Sequence, residues 1–205
     1  MSKSVDNNGF DYVDLELPSD TLWATCNVGA SKPSECGMYF QWGDIQGYYE
    51  EQVGYDKGNK WFAIDYSDYR WGRCPKFTKY TKRGATLELE DDAANNYMGG
   101  DWHIPTPKQI QELLDNTTSK WTKLDDGIEG MTFTSKNGKS IFIPAAGGVW
   151  DGGVFDKGYY GYIWSSTLLR KGSTIFAQGL NFDPDRPILG YASRCAGHPI
   201  RGVIG

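Results

Sequence analysis

Two short helical patterns with start and stop signals divide the chain, and their position constrains the fold more than any other feature. The second pattern is the better marked. Thr106 can cap the helix, Pro107 suits its first position, and Gln109 completes a capping box. Apolar residues at helical spacing follow, and they are Ile110, Leu113 and Leu114. These signals predict a helix over 107–116.

The first helical pattern is less regular. Thr86 is its candidate N-cap, because a threonine hydroxyl can accept a hydrogen bond from the first turn. Apolar residues four positions apart predict its buried face, and they are Leu89, Ala93 and Tyr97. Gly99 would end the helix, since glycine readily adopts the conformation found just after a helix.

Short strand patterns lie on both sides of the helices. Alternating apolar residues predict strands over 13–17 and 22–24, and runs at 131–135 and 139–144 flank the turn dipeptide Asn137-Gly138. Further strands are predicted over 162–167, 174–182 and 200–204. Strands, an insertion, two helices and then more strands indicate an α+β fold with helices beside antiparallel sheets. The length of 205 residues suits one domain over 1–205.

The region 39–85 shows neither a helical nor a strand period and is predicted to be a long, loop-rich insertion. Residues 39–80 contain 13 of the chain's 30 aromatic residues. Most of these rings are expected to pack inside the protein, because large aromatic side chains contribute much buried area. An exposed aromatic platform for stacking on sugars is the alternative, with Trp61 and Trp71 as candidates.

The charge distribution argues against several kinds of partner. The formal net charge is −5 and the basic residues are scattered, so no nucleic-acid surface is expected. No apolar run is long enough for a membrane span. Residues 1–10 lack the charged and then apolar pattern of a secretory signal. The oligomeric state stays open.

Four cysteines leave two interpretations open. They are Cys26, Cys36, Cys74 and Cys195. Two disulfides could form, but a domain of this size does not need them, so free or buried thiols are the simpler interpretation. No pair has the spacing of a zinc site.

The reactive residues form no recognisable catalytic pattern. His103 and His198 are the two histidines, and neither accompanies a nucleophile motif. We therefore expect a protein that is not an enzyme and needs no cofactor. Asp183 and Asp185, and the glycine-rich stretch 151–158, are candidates for a structural calcium site. Plain loops explain both more simply, because Ca²⁺ requires six or more oxygens.

Several motifs along nearly the whole chain resemble one protein family. In chain order they are Val-Asp-Leu-Glu-Leu-Pro at 13–18, Leu-Trp-Ala-Thr-Cys-Asn-Val-Gly-Ala at 22–30, Tyr-Phe-Gln-Trp-Gly at 39–43, Leu-Glu-Asp-Asp-Ala-Ala at 89–94, Trp-His-Ile-Pro-Thr at 102–106, Ile-Phe-Ile-Pro-Ala-Ala-Gly at 141–147, Trp-Ser-Ser at 164–166 and Arg-x-x-Gly-x-x-Ile-Arg-x-Val at 194–203. The chain thereby resembles the Fibrobacter succinogenes major paralogous domain family of gut Bacteroidetes and their phages. The resemblance implies a C-type-lectin-like fold of the subtype used by formylglycine-generating enzymes.

The resemblance also implies kinship with the variable proteins of diversity-generating retroelements. In those systems, template adenines are mutagenised, so that repeated Asn codons of the variable segment change. The residues that can result do not include Lys, Glu, Gln, Met or Trp. These five types make up 40 of the 205 residues, yet none occurs in 179–205. We therefore interpret 179–205 as a variable ligand-binding segment with a displayed surface. Its candidate ligand-contacting residues are Arg186, Ile188, Gly190, Tyr191, Ala192, Ser193, Cys195, Ala196 and His198.

These inferences predict a display protein that binds a protein or glycan receptor on a cell surface. Its expected location is a phage tail or another extracellular surface. A bacterial adhesin or glycan-binding module of fixed specificity is the main alternative. An oxidase of the formylglycine-generating type is a further alternative, but Cys195 lacks the second nearby cysteine late in the chain that such chemistry needs.

Overall fold

Short strands and two short α-helices make up the regular structure. The computed structural model describes residues 4–5, 8–53, 64 and 69–205. The helices are α1 (Ala93–Met98) and α2 (Pro107–Asn116). The strands are β1 (Ser4–Val5), β2 (Asp11–Asp14), β3 (Leu22–Ala24), β4 (Phe40–Gln41), β5 (Gly72–Arg73), β6 (Lys76–Phe77), β7 (Thr117–Lys123), β8 (Glu129–Ser135), β9 (Ser140–Pro144), β10 (Gly148–Trp150), β11 (Gly153–Phe155), β12 (Gly161–Leu168), β13 (Phe176–Phe182), β14 (Pro187–Ser193), β15 (Gly197–His198) and β16 (Val203–Ile204).

These strands form several small antiparallel sheets. In spatial order, the sheets are β1-β2-β3-β16, β11-β10-β15-β4, β12-β13-β14, β7-β8-β9 and the pair β5-β6. The chain is thus mostly β with two short helices, as the order of the sequence patterns predicted. No helix formed by the described residues is long and apolar enough to cross a membrane.

Helix α2 has the capping box and the buried apolar stripe that the sequence predicted. The hydroxyl of Thr106 accepts a hydrogen bond from the backbone N–H of Gln109 at 3.2 Å. The side chain of Gln109 accepts one from the backbone N–H of Thr106 at 2.9 Å, which completes the capping box. Ile110 and Leu113 are buried, so the apolar stripe faces the core.

The predicted start of the first helix at Thr86 is wrong. The carboxylate of Asp92 caps α1 instead, by accepting a hydrogen bond from the backbone N–H of Asn95 at 3.0 Å. Thr86 lies beside β12, where it forms an isolated β-bridge, so its backbone cannot enter the helix. Leu89 belongs to a 3-10 turn and is 65% exposed, whereas the predicted end at Gly99 is confirmed.

The predicted hairpin around Asn137-Gly138 is confirmed by the pairing of β8 with β9. The strand predicted over 13–17 ends at Asp14, because its carboxylate accepts the backbone N–H of Glu16 and Glu16 has a φ of 51°. The strands predicted over 22–24, 162–167 and 174–182 are confirmed by β3, β12 and β13, while only Val203 and Ile204 of the last prediction pair. The sequence patterns did not predict β7 or β14.

Two apolar cores lie on opposite faces of the sheet β12-β13-β14. The first core contains Leu180 and packs Leu189 and helix α2 against it. The second core contains Ala177 and packs Ala192 against it. Leu180 pairs with Leu189 and Ala177 pairs with Ala192, and paired residues share one face of a sheet. Because Ala177 and Leu180 are three positions apart on β13, their side chains point to opposite faces. This sheet is therefore covered on both sides over much of its area.

The insertion 39–85 is loop-rich in its described part. It contains β4, β5, β6 and a 3-10 turn at Glu50–Gln52. Many of its rings pack inside, as expected, and the buried ones are Tyr39, Phe40, Trp42, Tyr69 and Tyr80. Trp71 is half-buried and donates its ring N–H to the carbonyl of Gly43. Trp61 lies outside the described residues.

Candidate functional site

The predicted ligand-binding segment 179–205 divides into an exposed hairpin and a buried tail. Strands β13 and β14 pair over their whole length and form the hairpin. Arg186, Ile188 and Tyr191 are exposed there, with Ile188 42% and Tyr191 56% accessible. The predicted contacts Gly190, Ala192 and Ser193 on the same strand are half-buried.

The tail does not display its side chains, so this part of the predicted surface is corrected. Cys195, Ala196 and His198 are buried, at 1%, 4% and 2% exposure. The reason is that β15 is an inner strand, paired with β10 on one side and β4 on the other. The side-chain amide of Gln41 also donates a hydrogen bond to the carbonyl of Cys195 at 2.9 Å.

A pocket with a volume of about 200 Å³ opens beside the hairpin turn. Its residues come from the ends of β12, β13 and β14 and from the turn between β13 and β14. Asn181 lies between Tyr162 and Ile188 in the ladder, so these three side chains share one face of the sheet. The lining residues are Tyr160, Tyr162, Asn181, Phe182, Asp183, Arg186 and Ile188.

The polar groups of this pocket have unused hydrogen-bonding capacity. No described residue forms a hydrogen bond with the side-chain amide of Asn181, the guanidinium of Arg186 or the hydroxyls of Tyr160 and Tyr162. One carboxylate oxygen of Asp183 accepts backbone N–H groups in the turn, at 2.9 and 3.0 Å, and the other is free to bind. A pocket with an aromatic wall and a few unpaired polar groups is typical of a binding site.

The absence of a side chain at Gly190 leaves the space that the side-chain amide of Asn181 occupies. A Cβ atom at position 190 would lie 2.5 Å from Nδ2 of Asn181, well inside van der Waals contact. The absence of a side chain on β14 therefore lets the asparagine lie across the strand. Gly190 contributes to the pocket through this close approach and not through a contact of its own.

The two pocket phenols stay neutral over the physiological pH range. Burial raises the pKa of Tyr160, and neighbouring carboxylates, Asp183 among them, raise it further. Burial and Asp156 raise the pKa of Tyr162 to about 12. Both hydroxyls can therefore donate and accept hydrogen bonds to a ligand.

A ladder of stacked rings connects the pocket with the second core. Tyr160 and Tyr162 stack with centroids 6.3 Å apart, Tyr162 and His198 at 4.6 Å, and His198 and Trp164 at 4.2 Å. Burial lowers the pKa of His198 to about 3, so the imidazole in this ladder is uncharged. His198 supports the pocket wall from behind and does not line it.

Arg194 fixes the start of the buried tail to the aromatic insertion. Its guanidinium donates hydrogen bonds to the hydroxyl of Tyr69 at 2.8 Å and to the carbonyls of Tyr80 and Lys79 at 3.1 and 3.2 Å. The guanidinium carbon also lies 4.3 Å from the ring centroid of Phe77. Arg194 is fully buried, so it serves the scaffold.

Arg201 plays a similar structural role deeper in the molecule. It donates hydrogen bonds to the side chain of Asn27 at 2.9 Å and to the carbonyls of Ala24 and Phe142 at 3.0 and 3.1 Å. The side chain is fully buried and has no carboxylate among these partners. It therefore joins β3, β9 and the tail through neutral acceptors.

Asp183, Asp185 and the acidic residues of 151–158 form no group of three side-chain metal ligands among the described residues. Asp183 is part of the hairpin turn described above. Among the described residues, one group of three acidic side chains lies within metal-ligand distance, and it consists of Glu88, Glu90 and Asp91. The ammonium of Lys79 occupies its centre, 2.5 Å from Glu88 and 2.6 Å from Asp91. The ammonium of Lys79 therefore occupies the position between these carboxylates that a metal ion would take.

Of the seven lining residues, the sequence predicted Arg186 and Ile188 as ligand contacts and Asp183 only as a calcium candidate. It missed Tyr160, Tyr162, Asn181 and Phe182. Tyr160 and Tyr162 alternate with a glycine, which is the signal of two rings on one face of a strand. Asn181 lies within the predicted segment 179–205 but between apolar residues, so no pattern distinguished it.

Comparisons with known proteins identify no relative of this chain. No protein-family model, no curated protein and no solved structure matches it. The family suggested by the motifs therefore stays a prediction, and the functional argument depends on the pocket and the hairpin.

Proposed function

We propose that this chain is a non-enzymatic binding protein that meets a receptor on a cell surface with its β13–β14 hairpin. The observation that carries this proposal is the pocket at 160–188, whose aromatic wall and unpaired amide, guanidinium and phenol groups converge beside the hairpin turn. Arg186 and Tyr160 offer the large contact area and the hydrogen bonds that dominate binding sites.

The separation of scaffold and display in 179–205 supports a more specific proposal. The motif residues Arg194, Gly197 and Arg201 are buried, whereas Arg186, Ile188 and Tyr191 are exposed. The exposed side chains can change without loss of core contacts. We therefore infer a C-type-lectin-like variable protein of a diversity-generating retroelement, on a phage tail or another extracellular surface.

The surroundings of the reactive side chains favour binding over catalysis. His198 is buried and uncharged in the ring ladder, so it has no route to a substrate. Both ring nitrogens of His103 lie 3.0 Å from backbone carbonyls, which occupies its hydrogen-bonding positions. Burial raises the pKa of the Cys195 thiol to about 11, which keeps it in its weakly nucleophilic form.

Sequencing codons 179–205 across one natural population tests the diversification. We expect substitutions to accumulate at codons 186, 188 and 191, to be restricted at the buried positions 195, 196 and 198, and to be absent at 194 and 201. Codons 179–205 as uniform as codons 1–178 would contradict the proposal.

Binding of the labelled chain to a panel of intact bacterial cells tests the site itself. We expect the double variant Asn181→Ala and Arg186→Ala to reduce binding at least about tenfold, because both pocket groups are lost. Lys120→Ala on β7 is the matched control and should leave binding unchanged, since that exposed side chain lies outside the pocket. Equal binding by the double variant and the wild type would place the receptor contacts elsewhere.

A glycan-binding module of fixed specificity is the second candidate function. The stacked pair Tyr160 and Tyr162, next to the Asn181 amide and the Asp183 carboxylate, favours it, because a ring face and paired hydrogen-bonding groups suit a sugar. Under this proposal codons 179–205 are uniform in the population. Loss of glycan binding in Tyr162→Ala would support it.

A further inference from the structure

Strand β14 is an edge strand, and no neighbouring strand of the described residues pairs with its outer side. It ends the order β12-β13-β14. At the opposite side of this sheet, β12 is covered, since its backbone bonds to residues 85, 87, 105 and 199. Strand β7, also seven residues long and at an edge, carries Lys120 and Lys123, the type of residue that prevents edge pairing.

The hydrogen-bond pattern determines which groups of β14 point outward. At one end of the β13–β14 ladder, the backbone N–H of Asp183 donates to the carbonyl of Arg186. At the other end, the backbone N–H of Arg194 donates to the carbonyl of Ile175. These two hydrogen-bonded pairs mark the ends of the ladder. With the register of β13 and β14, the N–H and C=O groups of Leu189 and Tyr191 must point away from the sheet. No described residue bonds to these outward groups.

The side chains of β14 do not protect this edge. Residues 188–193 are Ile-Leu-Gly-Tyr-Ala-Ser and contain no charge. Pro187 occupies the first outward position and offers no N–H, so the outward donors of the strand begin at Leu189. Ile188 and Tyr191 are exposed apolar residues on opposite faces of the strand, at 42% and 56%. An uncharged, extended and unpaired edge is the surface to which another strand adds.

Charge complementarity identifies a second copy of this chain as the occupant. The turn before β14 carries Asp183, Asp185 and Arg186, two acidic residues against one basic residue, and the β12–β13 loop at the other end of the strand carries the two basic residues Arg170 and Lys171. Antiparallel pairing of two β14 strands brings the acidic end of each copy toward the basic end of the other. The uncharged stretch 188–193 adds no repulsion along the contact.

We propose that two copies of the chain pair through their β14 strands and form one continuous antiparallel sheet. A twofold axis at Gly190 places Leu189 opposite Tyr191 of the partner subunit, so the outward groups of both residues bond reciprocally. Ile188 then lies beside the partner's Ala192. A twofold interface of this kind uses the same patch on both copies.

The arrangement has a consequence for ligand binding. A twofold axis perpendicular to the sheet places the same face of both copies on one side. The pockets at 160–188 of the two copies therefore open in the same direction. A surface that carries many receptors would be bound by both pockets at once, which raises the overall affinity without new contacts. This consequence rests on the proposed function, whereas the pairing itself does not.

Sedimentation of the full chain over a range of concentrations tests the pairing. We expect the wild type to form a dimer that dissociates on dilution. Tyr191→Pro should weaken dimerisation at least about tenfold, because proline removes an outward N–H and blocks the approaching strand, yet breaks no bond to β13. Tyr191→Ala keeps the N–H and is the matched control, with a change below about threefold.

Two results would overturn the pairing. One is a wild type that stays monomeric up to about 100 µM, where even a weak interface is populated. The other is a dimer that Tyr191→Pro leaves intact. If the proline variant does not fold, amide exchange of the wild type decides: slow exchange of the Tyr191 N–H in the dimer and fast exchange on dilution are expected, and equal rates would refute the model. Cell binding by Asn181→Ala and Arg186→Ala tests the proposed function separately.

Discussion

The hairpin end at 183–193 and the tail at 194–203 follow each other in one segment, yet they belong to different environments. In the hairpin, Arg186 is exposed and none of its side-chain atoms bonds to a described residue. In the tail, Arg194 and Arg201 are fully buried and each donates three hydrogen bonds. The same residue type thus serves the surface in one half and the scaffold in the other.

In this chain, the polarity of a side chain therefore does not predict whether it is exposed. A buried guanidinium is stable only when its donors are satisfied, and here backbone carbonyls, a phenol and an amide satisfy them. Such acceptors are scattered over distant parts of the sequence. Substitutions at buried and at exposed positions of this segment test the contrast.

Arg201→Ala should cause the largest loss, about 4 kcal/mol in the free energy of unfolding. It removes a fully buried side chain and leaves the carbonyls of Ala24 and Phe142 without their donor. Urea denaturation measures the change. Arg83→Ala, at an exposed position, is the control and should change stability by less than about 0.5 kcal/mol. A small effect of Arg201→Ala would mean that the tail is not an integral part of the core.

His198→Phe should change how stability depends on pH, by about 3 kcal/mol between pH 7 and pH 4. Because burial lowers the pKa of His198 from 6.5 to about 3, the unfolded chain binds the proton first as the pH falls. The wild type therefore loses stability from His198 below about pH 6.5, and a phenylalanine keeps the stacked ring without this loss. Denaturation curves across this range should diverge toward low pH. Parallel curves would mean that His198 is accessible to solvent.

Arg194→Lys should lower stability by about 2 kcal/mol, although the charge is kept. A lysine can neither reach both carbonyls of Lys79 and Tyr80 nor stack on Phe77 as a planar guanidinium does. Arg70→Lys, a partly exposed arginine over Trp71, is the control and should cost less than about 0.5 kcal/mol. Equal losses in both variants would show that the buried contacts of Arg194 contribute little.

Ile188→Ala in the hairpin should change the unfolding free energy by less than about 0.5 kcal/mol, because this side chain is exposed. The same should hold for Arg186→Ala. Thermal and urea denaturation provide the measurement, with the wild type as reference. A loss above about 1 kcal/mol in either variant would place the hairpin in the scaffold and weaken the proposed division of the segment.

Local signals predicted much of the regular structure. The capping box of α2 and the Asn137-Gly138 turn depend on neighbours within four residues, and both predictions were confirmed. The start of the first helix was wrong, because Thr86 pairs with a strand far along the chain. Strand β14 was missed since its residues alternate only weakly between apolar and polar types.

The candidate site was predictable only in part. The segment 179–205 contributes Asn181, Phe182, Asp183, Arg186 and Ile188 to the pocket. Tyr160 and Tyr162 join them through the pairing of β12 with β13, and the fold withdraws Cys195 and His198 into the core. No local pattern distinguishes a displayed histidine from one stacked between Tyr162 and Trp164.

Local sequence patterns were sufficient to predict the α+β order, the capping box of α2 and the hairpin at 131–144, and they suggested 179–205 as a binding segment. Which side chains of that segment face the solvent depends on the folded structure. Exposure depends on pairing between distant strands, as where β15 enters between β10 and β4. Burial of Arg194 and Arg201 likewise depends on acceptors that distant loops supply. Hydrogen-bond satisfaction of a buried charge is a property of the folded surroundings and not of the residue.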